Sequence, residues 1–171
     1  SASVLGVDPT DLGSIISFES AGTFNPHKVG GEGNRYKGLI QFGPEEQKKY
    51  YRPDDTFETQ VENGVVNYFR DRFKKVGKDT RGASLEDLYT TVIAGNPNAN
   101  RNAKDSFGTS ARSGTQKIFN EHRPKVMERF GWIDKPYDDD LVNHVLSQVP
   151  QTNIEDDILA ASGLSGPQPE A

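Results

Sequence analysis

Apolar residues recur in this chain at spacings of three and four rather than two, and that rhythm restricts it to a helical architecture. Leu12, Ile15 and Ile16 begin one stripe, and Phe57, Val61, Val65, Tyr68, Phe69 and Phe73 form a longer one. Leu85, Leu88, Tyr89 and Val92 make a third, and Ile118, Phe119, Val126, Met127 and Phe130 a fourth. The residues between the stripes are helix punctuation. Asp8 can cap a helix whose first position is Pro9 and whose first turn holds Asp11, and Gly22 offers a stop. A shorter helix is expected from Pro44 through Tyr51. Asp55 and Glu58 have the spacing of an acidic capping box ahead of the longest expected helix, which ends near Gly77. Ser84 caps the next helix and Gly95-Asn96-Pro97 closes it, while Pro124 should bend or divide the last, which runs toward Gly131. The expected fold is therefore all-α: a helical lobe beside a loop-rich segment, residues 25–42, that holds at most a short hairpin between Val29 and Ile40. Residues 98–114, rich in Asn, Ser and Gly, read as a surface loop.

The chain has 171 residues, enough for one domain of ordinary core size. We place that domain at 1–135 and read 136–171 as an acidic linker or docking appendage, since Asp138-Asp139-Asp140 and Glu155-Asp156-Asp157 shift the composition there. A net charge of -5 argues against a nucleic-acid partner, which would require an excess of Lys and Arg on one face. Without Cys there is no disulfide framework and no thiolate nucleophile or ligand. No apolar run reaches the roughly 20 residues a membrane-crossing helix needs. The first residue is Ser1 rather than Met, and the last nine are rich in Gly and Pro, as expected of a fragment of something longer.

Glu19 stands out against this background. It falls seven residues after Leu12, so it shares the apolar face of the first helix and sits at that helix's negative end. Burial and the helix dipole both disfavour a carboxylate, and a raised pKa is what a carboxyl group needs to deliver a proton to a glycosidic oxygen near neutral pH. Periodicity alone leaves a second reading open, in which Glu19 lies at the edge of the stripe with its head in solvent.

Glu19-Ser20, the following Phe24-Asn25-Pro26, and Gly38-Leu39-Ile40-Gln41 resemble the lytic transglycosylases of the soluble, goose-type-lysozyme-like family. The run from Gly38 to Glu46 is most similar to transglycosylase domains embedded in bacteriophage virion proteins. The resemblance covers residues 12–129. It implies a lysozyme-like domain that cuts the MurNAc-GlcNAc β-1,4 bond of peptidoglycan glycan strands and leaves 1,6-anhydromuramyl ends, with no metal and no cofactor. Glu19 would be the catalytic acid and then the base; Ser20, Gln41 and Gly38 would shape the substrate site. For Gln41 an amide bridging backbone groups is the alternative, and for Ser20 a helix-end hydroxyl bonded to its own backbone. The family's third motif, Ala-Tyr-Asn-x-Gly, is altered here, with Val92 and Ile93 where its Tyr and Asn should be. Tyr89, one turn earlier, and Asn96 are the candidates to supply the missing phenol and amide; a core ring and a turn residue are their alternatives. By the same resemblance the chain would travel in a phage particle and act in the host envelope, with other virion proteins as partners through the C-terminal segment; a secreted bacterial enzyme is the alternative setting. A glycan-binding virion module without turnover and a hydrolytic muramidase are the rival functions.

Glu32 is the sole carboxylate between the two matching motifs, and so the candidate second carboxylate that hydrolysis by water would require. Arg101, Lys104 and Arg112 are read as a solvated basic set or, alternatively, as a contact for wall-peptide carboxylates. His27, His122 and His144 have no metal-ligand spacing.

Overall fold

The computed structural model describes residues 2–105 and 107–130. Six helices carry the fold: α1 (Ala2–Leu5), α2 (Pro9–Glu19), α3 (Pro44–Tyr50), α4 (57–75), α5 (Leu85–Ala94) and α6 (111–129). The sole sheet among the described residues is an antiparallel hairpin of β1 (Val29–Gly30) and β2 (Tyr36–Lys37), paired Val29 with Lys37 and Gly30 with Tyr36. The all-α expectation holds, and so does the short hairpin.

Local chemistry explains most boundaries. The Asp8 side chain accepts from the Thr10 N–H at 2.8 Å, and Pro9 opens α2. Gly95, in the left-handed region at φ 69, closes α5, which starts from a reciprocal box between Ser84 and Asp87. The box that starts α4 is not the expected Asp55 and Glu58 but Thr56 and Thr59, each hydroxyl accepting from the other's backbone. Asp55 turns elsewhere, and its carboxylate accepts from the Arg52 N–H at 2.9 Å and from Gln60 at 3.3 Å.

The stretch expected as loop up to residue 114 becomes helix at Ala111, because Ser110 and Ser113 form another capping box. Gly114 then lies inside α6, where composition suggested a turn. Its lack of a side chain is filled by Tyr89: a Cβ there would stand 2.2 Å from the ring. Both α4 and α6 hold a wide π turn, Val61–Val65 and Ile118–His122, and the two helices are equally long. In α4, Gly64 lets the Tyr50 carbonyl approach to where a Cβ would be 2.5 Å away. In α6 the wide turn ends just before Arg123 and Pro124, which cannot donate to the preceding turn. Of the fourth stripe only Ile118 and Val126 are buried; Phe119 lies exposed beneath the Arg123 guanidinium.

One core unites these elements. Ile15 of α2, Leu39, Val65 and Phe69 of α4, Leu88 of α5 and Ile118 of α6 are all fully buried within it. Each such aliphatic side chain contributes about 1.5–3 kcal/mol by leaving water. The consequence for function is that the C-terminal end of α2 is fixed between α5 and α6. Residues 136–171, with the acidic runs and His144, lie outside the described residues. No helix among the described residues is long and apolar enough to cross a membrane.

Candidate active site

Glu19 is the last residue of α2, and the chain reverses directly behind it. Ser20 caps the helix with its backbone N–H on the Ile16 carbonyl, and Ala21 and Gly22 follow in the left-handed region at φ 53 and 75. The Ser20 hydroxyl is buried and accepts from the Phe24 N–H at 3.0 Å, which fixes the start of the loop. One turn earlier, Ser17 Oγ and His122 Nδ1 lie 3.0 Å apart, tying α2 to α6. The Phe18 ring is gripped edge-on by Tyr89, 5.7 Å between centroids, and by His122 at 5.3 Å.

Glu19 itself is half-buried, and among the described residues its carboxyl group has no hydrogen bond or ion pair. Its pKa is pushed up to about 8 by burial. Protein surrounds the group at longer range and removes most of the solvation a carboxylate needs, yet its partial exposure leaves a path to the carboxyl oxygens.

Two phenols sense this group. Tyr89 is held above the ordinary phenol pKa first by burial and then by the charges of Glu19 and Asp105. Tyr68 is raised by burial, against the pull of Arg72, with Glu46, Tyr50 and Glu19 adding to the rise. Both therefore stay protonated near neutral pH. Tyr68 spends its proton on the Thr91 carbonyl at 2.8 Å. The Tyr89 ring is buried in the core, as its alternative reading had it, and its hydroxyl has no hydrogen-bond partner among the described residues. Val92 and Ile93, in place of the phenol and amide of the third motif, pack against the core.

The other expected residues lie in internal roles. Gln41, at φ 54, donates through Nε2 to the Lys28 and Gly38 carbonyls, each at 2.9 Å, so its amide bridges backbone groups. Gly38, at φ 95, admits a close neighbour, but that neighbour is Gln60, whose Oε1 would stand 2.7 Å from a Cβ there. Asn96 is a turn residue whose Oδ1 accepts from the Asn98 N–H at 2.8 Å. Glu32 is exposed in the short 3-10 turn Glu32–Asn34 between the two strands. Of the basic set, Lys104 is exposed and Arg112 more than half exposed, 3.8 Å from Glu86, while Arg101 is held, pairing with Asp87 at 2.7 Å and donating to the Pro97 carbonyl.

Sequence reasoning passed over Gln60. Fully buried, it accepts from the Leu39 N–H at 2.7 Å and donates to the Pro26 carbonyl at 2.8 Å, joining the loop behind α2 to the turn that precedes α3. The signal was there: Gln60 is an amide three residues after Phe57, on the apolar side of α4. Among the described residues, no group of three or more His, Asp or Glu is arranged to hold a metal ion. Compared with models of protein families, with curated proteins and with solved structures, the chain gives no match.

Proposed function

We propose that this chain is a peptidoglycan lytic transglycosylase of the lysozyme-like kind, with Glu19 as its acid and base. The observation that carries the reading is a lone, half-buried carboxyl group at a helix end, unpaired and with its pKa near 8. At pH 7 such a group is about nine-tenths protonated, ready to give a proton to a leaving oxygen. Glu19 protonates O4 of the departing GlcNAc as the bond from the muramic C1 breaks. The substrate's own N-acetyl oxygen stabilises the cation that develops at C1. Glu19, now a carboxylate, takes the proton from the muramic C6 hydroxyl as that oxygen bonds to C1, which closes the 1,6-anhydro ring and restores the acid. No water is consumed, so no second carboxylate is required. The exposed, turn-borne position of Glu32 fits that scheme better than a hydrolytic one, which demands a carboxylate held at fixed distance. Tyr89 is the phenol proposed to orient the N-acetyl group or the acid, in place of the missing motif Tyr.

The test is digestion of purified peptidoglycan followed by mass spectrometry of the fragments. Anhydro ends are expected. Reducing ends would make the protein a muramidase, and intact strands would make it a glycan-binding module, the role that the altered third motif would allow. The setting proposed with this activity is a phage particle, acting in the host envelope.

A further inference from the structure

Phe107 is the most exposed large apolar side chain among the described residues, at 85%. An exposed ring on a loose loop would carry no meaning, but this one is held. The Asp105 carboxylate accepts from the Phe107 N–H at 2.9 Å and from the Thr109 N–H at 2.8 Å. The Asp105 N–H donates to the Thr109 carbonyl at 2.8 Å, and the Gly108 N–H donates back to Asp105 at 3.1 Å. Gly108, at φ 78, gives the turn its reversal, and a bridge between Lys104 and Ser110 closes its base. Four bonds thus tie Phe107, Gly108 and Thr109 to Asp105, so these residues have less conformational freedom to lose on binding.

The turn is joined to the candidate site through Tyr89, whose ring meets that of Phe18, the residue before Glu19, at 5.7 Å between centroids. The charge of Asp105 is felt by the Tyr89 phenol, which feels Glu19 as well, so Asp105, Tyr89 and Glu19 form one electrostatic neighbourhood. Ser110, at the foot of the turn, caps α6, the helix whose Gly114 seats the Tyr89 ring. The same loop is pinned on its other side by Arg101, which reaches Asp87 of α5.

Resting on the reading of Glu19 above, we propose that Phe107 is a sugar-stacking residue at one edge of the site, which packs its ring against the face of a pyranose in an extended N-acetylated glycan strand. One face of such a sugar is a patch of C–H groups carrying slight positive charge, and it complements the negative face of an aromatic ring. A strand that occupies the Glu19 site spans several sugars and so has a ring to offer beyond the scissile bond. Stacking at an exposed edge is expected to tighten strand binding roughly three- to tenfold.

The experiment measures binding of purified glycan strands, stripped of their peptides, to the full chain carrying Glu19→Gln so that no turnover intervenes. Phe107→Ala in that background should raise Kd roughly three- to tenfold, and Phe107→Trp should restore it. The introduced indole should also change its emission as strands are added, beyond any change that Trp132 shows in the same chain with Phe at 107. Unchanged strand affinity in Phe107→Ala overturns the proposal, as does an indole emission blind to saturating strands. Either result leaves the role of Glu19 standing, because that role is read from cleavage by the chain with Glu19 intact. If that chain cuts nothing yet Phe107→Ala still weakens binding, the catalytic reading fails and the stacking residue survives.

Discussion

Replacing Glu19 by Gln should stabilise the protein in a pH-dependent way. The folded carboxyl group titrates near 8, against 4.5 for the ordinary group. Between those values the unfolded chain has lost this proton while the folded chain keeps it, so the unfolded state binds fewer protons and stability falls as pH rises. Below pH 4.5 the group is neutral in both states and the penalty vanishes; above about 8 the full penalty is present. The shift sets an upper limit of about 5 kcal/mol, and the partial exposure of the side chain brings the expected value to roughly 2–3 kcal/mol. Gln has the same shape and never ionises, so urea unfolding of the two proteins at half-unit steps from pH 4 to 9 isolates this one group. The curves should meet near pH 4 and part steadily until about pH 8, with Gln the more stable. A constant difference across the range, or a less stable Gln variant at pH 8, would refute the claim that Glu19 is a desolvated, unpaired carboxyl group.

Three further perturbations probe the frame around it. Gly114→Ala would gain up to about 1 kcal/mol of helix propensity at an open site, but here the new methyl meets the Tyr89 ring. Thermal unfolding should show a net loss of about 1–3 kcal/mol, and cleavage should fall with the displaced phenol. Gln60→Ala strands the buried Leu39 N–H and the Pro26 carbonyl and should cost about 2–4 kcal/mol by denaturant titration. Glu32→Gln should slow cleavage less than about tenfold, under about 1.4 kcal/mol of barrier, and leave the anhydro ends in place. A roughly thousandfold loss with reducing ends in the wild-type digest would instead make Glu32 a catalytic partner.

The helices were legible in the sequence because their signals are local. Asp8-Pro9, Ser84 and Gly95 each satisfy or terminate a backbone within one turn, and the apolar stripes follow from the helical period alone. Glu19 was legible for the same reason, as a charged residue in phase with Ile15 and Ile16. What was not legible depended on partners distant in the chain. Gly114 reads as a loop residue until Tyr89 is known to need its space, and the Ser110–Ser113 box that begins α6 has no acidic member to advertise it. Phe119 fits a helical stripe by spacing, yet it lies on the solvent side of a turn whose other apolar residue, Ile118, is buried. Gln41 and Gly38 carry the motif's appearance, while their observed bonds serve the turn itself, closed by the Lys37 and Phe42 bridge and anchored by Gln60.

The central claim is that the Glu19 carboxyl group carries the proton of the reaction, and turnover of purified peptidoglycan by wild type and Glu19→Gln tests it most directly. General acid catalysis contributes about 10²–10⁴-fold, so the folded Gln variant should retain at most about a hundredth of the wild-type rate. Retention of more than about a tenth, in a variant that unfolds cooperatively like the wild type, would contradict the assignment.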